Sequence, residues 1–228
     1  MPCDILLVDN ASTDGTGEWA RAFAQKTSRF LYRNTGENLG GAGGFNFGMR
    51  WAVQADYSHV WIMDDDTLPK PDALEKLVEA DALLGGEYGF LASAVLWKDG
   101  KVCLMNRAKI RTEYYQRLEL MQHGLILIDQ ATFVSCFFRG ETILEAGLPI
   151  REFFIWGDDI EYTRRLAVRM KQDCFLAGKS QVIHAMETNT GSSIATDVPE
   201  RIDRYHFAFR NENYLYRKEG IKGFLFYS

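Results

Sequence analysis

Hydrophobic and polar positions change their period repeatedly along the first third of the chain. Asp4–Val8 is a short β-branched and leucine run that ends in the turn-rich DNASTDGT, which reads as a strand followed by a loop. Ser12 or Thr13 is placed to cap a helix over Gly15–Thr27. Phe30–Arg33 reads as a second strand, and the glycine-rich NTGENLGGAGGF then opens a helix over Ala42–Ala55. His59–Met63 is a third strand and runs straight into three aspartates. Thr67–Pro71 reads as a turn, and Asp72 caps a helix that continues to Leu84.

The order β-α-β-α-β-α argues for a parallel sheet with covering helices. Beyond it, Phe90–Trp97, Leu125–Asp129 and Phe133–Arg139 read as strands, with a polar link from Lys98 to Gly124. Glu141–Ala146 and Asp159–Met170 read as helices, Gln181–His184 as a short last strand, and Pro199–Ser228 as a helical, aromatic-rich tail. Nothing in the chain resembles a repeat or a linker. One domain over residues 1–198 with a helical tail over 199–228 is expected.

Composition then narrows the functions. Hydrophobic residues make up 46% and charged residues 25%, the profile of a soluble globular protein. The net charge of −5 and the absence of a lysine or arginine block exclude a nucleic-acid partner. The longest apolar run, Tyr88–Trp97, is roughly ten residues and too short to span a bilayer. Met1 leads into a strand rather than a secretory leader, so a cytoplasmic protein is expected. The scattered cysteines Cys3, Cys103, Cys136 and Cys174 show no metal-ligand spacing and suit reduced thiols.

Three segments carry candidate chemistry. In VWIMDDDTLPKP, side-chain alternation puts Asp64 and Asp66 on one side of the chain and Asp65 on the other. Like charges at a strand end suit a cation, and a solvated acidic turn is the plain alternative. In FFIWGDDIEYTRRL, Asp158 and Asp159 fall at a helix N-terminus. One acid suffices as a cap, so the other is free to take a proton from an alcohol. Trp156 offers either a flat face to a sugar ring or a core side chain. His184 is a structural histidine or a third ligand beside two carboxylates. Arg164 and Arg165 are placed to pair with Glu161 along the helix. DNASTDGT fails as a calcium loop because Arg21 stands where the bidentate glutamate belongs, and no Gly-Lys-Ser/Thr follows the glycine-rich loop.

Taken in order, ILLVDNASTDGT, NTGENLGGAGGFNFGM, WIMDDDTLPKPDAL, FVSCFFRGETILEAGLP, FFIWGDDIEYTRRL and SQVIH resemble glycosyltransferase family 2. The form WGDDIEYTRR, with RNENYLYR later, is most similar to its galactofuranosyl and rhamnosyl transferases. The resemblance implies a GT-A fold, an α/β, Rossmann-like, mostly parallel sheet with helices on both faces. It implies an inverting transfer from a UDP- or dTDP-linked sugar to a glycan or lipid-linked acceptor, with Mn²⁺ or Mg²⁺. Asp9, Asn10, Asn38, Gly40, Asp64 and Asp65 would belong to the donor pocket. Asp64, Asp66 and His184 would hold the metal, Asp159 would be the general base, and Trp156 and Asp158 would face the acceptor.

The chain departs from that family at its start, where one strand and helix that grip the nucleotide are expected to be missing. A non-catalytic remnant of the same fold that binds nucleotide sugars or glycans is the competing expectation. An unpaired strand edge would favour a homo-oligomer. The aromatic tail would pack on the domain or lie on the inner face of a membrane, and packing is favoured.

Overall fold

The computed structural model describes residues 3–191, 194–195 and 199–227. β1 (Ile5–Asp9) and β2 (Phe30–Asn34) form a parallel two-stranded ladder, with α1 (Thr16–Lys26) between them in sequence. Asp14, rather than Ser12 or Thr13, accepts the first free N–H of α1, from Thr16 at 3.0 Å. α2 (Gly40–Gln54) packs against both β1 and β3 (His59–Ile62), yet no ladder joins β1 to β3 among the described residues.

The larger sheet also takes β4 (Thr67–Pro69), β5 (Leu91–Leu96), β6 (Lys109–Ile110), β7 (Leu125–Gln130), β8 (Cys136–Arg139) and β9 (Phe175–His184). Helices α3 (Ala73–Leu84), α4 (Gly140–Ala146), α5 (Asp158–Arg164) and α6 (Tyr205–Tyr227) complete the regular elements. The α/β architecture is as expected, but its ladders are more mixed than the element order implies. β1·β2 and β5·β9 are parallel, whereas β8 runs antiparallel between β3 and β5. β8 follows β7 after a short loop instead of a crossover helix, and that connection reverses the chain direction.

Alternation along β8 divides the core into two layers. Cys136 and Phe138 face a cluster with Met49, Phe90, Ile143, Tyr162 and Leu166, beneath α2, α4 and α5. Phe137 faces the opposite cluster with Leu77, Leu91, Leu127 and Phe175, beneath α3. Helices therefore cover both sheet faces, as the sequence led us to expect.

Two corrections bear on function. Thr67–Pro71 is not simply a turn: β4 pairs antiparallel with β9 in the register Thr67↔His184 and Pro69↔Val182. A three-residue strand ending in proline is tolerated because it lies on an edge, where the missing N–H costs no ladder bond. The expected short strand at Gln181–His184 is in fact the end of the ten-residue β9. Its register against β5 slips between Ser93 and Ala94, and this irregularity hid its first half. Buried hydroxyls tie that slip together. Trp61 Nε1 donates to Ser135 Oγ at 2.9 Å, Ser135 to Ser93 at 2.8 Å, and Ser180 to the Ala73 carbonyl at 2.9 Å, with Ser93 and Ser180 2.7 Å apart. The network fixes β3 and β9, the two strands that deliver the aspartates and the histidine.

Candidate active site

The β4·β9 ladder assembles the first group. Opposite β4, the Ala185 N–H donates to the Asp66 carbonyl at 2.9 Å, so His184 lies beside the aspartates. His184 Nε2 is 3.0 Å from Asp66 Oδ1 and 3.9 Å from Asp64 Oδ2. Potential ligand atoms of Asp64, Asp66 and His184 all lie within 4.8 Å of one another. Asp65 is exposed and outside this trio, although the aspartates lie in a turn closed by Thr67 N–H on Asp64 O at 3.2 Å rather than on an extended strand.

The orientation of His184 rests on Asn106, which the sequence offered no means of finding. His184 Nδ1 is 2.7 Å from Asn106 Oδ1. Asn106 Nδ2 is committed to Thr132 Oγ1 at 3.0 Å, and Cys103 Sγ also donates to Asn106 Oδ1 at 3.0 Å. The amide oxygen thus faces the ring, Nδ1 carries a proton toward it, and Nε2 points at the carboxylates. Nε2 so placed can pair with the carboxylates as an imidazolium or share a cation with them as a neutral ligand. Two carboxylates and an imidazole set in this way fit a divalent ion.

A second acidic group stands within electrostatic reach. Asp158 and Asp159 open α5 behind Gly157, whose φ of +85° suits glycine alone. Both carboxyls are pushed above the ordinary aspartate range, first by burial; the charge of Asp159 further raises Asp158. Asp159 Oδ1 accepts the Ile160 N–H at 2.7 Å. Burial likewise drives Asp64 up to about 6, with His184 opposing and Asp66, Asp159 and Asp65 adding to the rise. Cys136, fully buried beneath these carboxylates, is raised by the same burial and by Asp159 and Asp64. Glu161, also in the first turn of α5, is taken up by Arg165 and Arg169. The expected pairing holds for Arg165, but Arg164 turns instead to Glu219 on α6, at 2.8 and 2.5 Å.

The third group lies at the end of β1. Asp9 accepts Ser12 N–H at 2.8 Å, Tyr32 Oη–H at 2.6 Å and Asn34 Nδ2–H at 2.9 Å. Burial acts to raise its pKa, but these donors outweigh it and hold the carboxyl at about 2. A depressed acid contributes stability that is present above its unfolded pKa and lost as pH falls through the folded one. Asp9 is therefore expected to stabilise the fold above about pH 4 and progressively less toward pH 2. Urea unfolding between pH 5 and pH 2.5 checks this, because Asp9→Asn should flatten the acid slope; an unchanged slope contradicts it.

Asn10 and Asn38 shape the glycine-rich segment. Asn10 Nδ2 donates to the Gly40 carbonyl at 2.8 Å, and Asn38 Oδ1 accepts the Gly40 N–H at 2.9 Å. Gly40 has φ +70°, and a Cβ there would lie 2.1 Å from the Phe154 carbonyl oxygen. The glycine is required so that α2 can meet the loop before α5, where the Ala42 N–H donates to that same Phe154 oxygen at 3.1 Å. This loop is strained. Phe154 has φ 64° and ψ −62°, and Ile155 N–H bonds the Phe153 carbonyl at 2.7 Å across it, which forms a positive-φ γ-turn. Trp156 also has φ 63°. Non-glycine residues held so cost on the order of 1–3 kcal/mol each. The Trp156 ring meets Tyr205 edge-on with centroids 4.8 Å apart, and the Arg201 guanidinium stands 5.4 Å over it.

Residues 1–126, more than half the chain, match the family model described as glycosyl transferase family 2. The undecaprenyl-phosphate mannosyltransferase of Micrococcus luteus is 42% identical over 170 residues, covering 72% of this chain and 66% of the relative. The galactofuranosyltransferase GlfT1 of Mycolicibacterium smegmatis is 25% identical over 239 residues, 98% of this chain and 76% of that protein. The chain thus spans about two thirds to three quarters of these relatives. Among solved structures, GalNAc-T7 with UDP, GalNAc and Mn²⁺ superposes with a TM-score of 0.65 at 12% identity, over 95% of this chain and 44% of the other. That likeness establishes the fold alone.

Proposed function

The chain belongs to glycosyltransferase family 2, and from that premise we propose that it moves a sugar from a nucleotide diphosphate to a hydroxyl group. The donor is UDP- or dTDP-linked, with galactofuranose or rhamnose favoured, and the acceptor is a glycan or lipid-linked glycan. The galactofuranosyltransferase relative, which covers nearly the whole chain, supports the first sugar. The mannosyltransferase relative brings in mannose as a second candidate. The observation that carries the reading is the convergence of Asp64, Asp66 and His184, with the charge of Asp159 felt at Asp64.

Asp64, Asp66 and His184 would hold Mn²⁺ or Mg²⁺, which supplies Lewis-acid stabilisation of the negative charge growing on the departing diphosphate. Asp9, Asn10, Asn38, Gly40, Asp64 and Asp65 would line the donor side, a reading supported by the ordered segments after β1 and before α2. Asp158 and Trp156 belong to the acceptor side.

Asp159 accepts the proton of the acceptor hydroxyl. Backbone N–H groups, Ile160 at 2.7 Å and Phe133 among them, hold the carboxylate in place to receive it. Burial raises its affinity for that proton, the direction a general base needs. The acceptor oxygen bonds to the anomeric carbon as the bond to the diphosphate breaks, which inverts that carbon in one displacement.

A lipid-linked acceptor suits peripheral contact with the cytoplasmic face of a membrane. α6 exposes Phe209, Ile221, Phe224 and Leu225, with exposed Arg217 and Lys218 nearby in sequence. No helix among the described residues is long and apolar enough to cross a bilayer. A panel of UDP- and dTDP-sugars, each with Mn²⁺ and a glycan acceptor, tests the function. Acceptor-dependent release of nucleoside diphosphate is expected. A folded chain that binds nucleotide sugars but turns none over favours the non-catalytic alternative.

A further inference from the structure

Five successive backbone carbonyls in the strained loop before α5 are each held by a donor from elsewhere in the fold. The Phe154 carbonyl takes the Ala42 N–H of α2 at 3.1 Å. Two adjacent residues of α6 hold the other four. Arg210 Nη2 donates to Glu152 O at 2.6 Å and Phe153 O at 3.0 Å. Asn211 Nδ2 lies 3.0 Å from Phe153 O, 3.2 Å from Ile155 O and 2.6 Å from Trp156 O, so its two N–H groups are shared among three carbonyls.

The two residues also fix each other. Arg210 Nε donates to Asn211 Oδ1 at 3.0 Å, which turns the amide nitrogen toward the loop. Asn211 is 1% exposed, so its own bonds to the loop are shielded from water, whereas the Arg210 bond to Glu152 O lies at the surface. Aromatic contacts run alongside: Phe154 stacks on Phe207 with centroids 4.9 Å apart, and Phe153 meets Tyr214 edge-on at 5.5 Å. The bidentate Arg164–Glu219 pair pins the same helix to α5.

A loop with two positive-φ aromatic residues does not hold this shape unaided. It leads through Trp156 and Gly157 directly into Asp158 and Asp159. We propose that Asn211, supported by Arg210, is a positioning residue that clamps the Phe153–Trp156 backbone and so aims the first turn of α5 at the metal trio. The proposal deepens the glycosyltransferase reading and rests on it for its effect on turnover. Asp64 and Asp66 lie between β3 and β4 and His184 ends β9, none of which this clamp touches.

The experiment uses the full chain and the variants Asn211→Ala, Asn211→Asp and Arg210→Ala, with exposed Asn213→Ala as control. Hydrogen exchange is followed over residues 152–160, together with Mn²⁺ binding and nucleotide release. Asn211→Ala should speed exchange at 154–160 at least tenfold and leave β9 amides and Mn²⁺ affinity unchanged. It should lower kcat by about ten- to a hundredfold with donor KM little altered, as misplacement of a reacting group does. Asn211→Asp keeps the shape but loses donor hydrogens, so it should match or exceed the alanine effect. Arg210→Ala, at an exposed position, keeps the fold and should give a smaller effect of the same kind.

Unchanged exchange in both Asn211→Ala and Arg210→Ala overturns the clamp. Faster exchange with unaltered kcat overturns its link to the reaction. If the wild type turns over no donor, the glycosyltransferase reading has failed, and the exchange data still decide whether the clamp exists.

Discussion

Replacing Asp159 with asparagine is expected to lower turnover by roughly 10²- to 10⁴-fold, the range for a lost general base. The amide oxygen can still accept the Ile160 N–H, so the start of α5 keeps its local bond. What is lost is the carboxylate that takes the proton. Mn²⁺ and donor binding should be retained, because removal of a negative charge near Asp64 eases rather than adds to the crowding of carboxylates. Stability should move the other way. A carboxyl whose folded pKa is raised costs stability as pH climbs from its unfolded value through the folded one. In metal-free buffer at pH 7.5, Asp159→Asn should therefore unfold at a higher urea concentration than wild type while being nearly inactive. Wild-type kcat in this variant would sink the base assignment.

Loss of the metal trio is expected to be as damaging. EDTA should abolish nucleotide release and Mn²⁺ should restore it. His184→Ala should lower turnover on the order of a hundredfold or more at fixed Mn²⁺, since altering even the partner of a ligand costs 10- to 100-fold. Asn106→Ala sits between, because Nε2 remains but the bond that fixes its tautomer is gone. The graded series distinguishes ligation from mere packing at a buried histidine: a packing role predicts lower stability in both variants with no change in Mn²⁺ dependence.

The parts of this molecule legible from sequence are those in which a residue's neighbours in the chain are also its physical partners. Strands β1 to β3 and helices α1 to α3 announce themselves through apolar runs, glycines and turn residues. The aspartates at the end of β3 and the start of α5 were visible for the same reason, because a charge pressed against an apolar run is anomalous locally. β4 was not visible, since three residues ending in a proline carry no period and gain strand geometry only from β9. Arg164 chose Glu219 over a helix neighbour because α6 buries the pair, a tertiary fact absent from the local pattern. Asn106 lay in a polar link without a regular pattern, and its meaning comes wholly from the imidazole beside it.

The proposed cation site forms because an edge strand brings His184 to Asp64 and Asp66. Titration of free Mn²⁺ by electron paramagnetic resonance, with the purified chain and UDP present, tests it most directly. Wild type is predicted to take up a single saturable equivalent of Mn²⁺, with uptake strongly weakened in Asp66→Asn and His184→Ala and intact in Asp65→Asn. Equal uptake by His184→Ala and wild type would contradict the site.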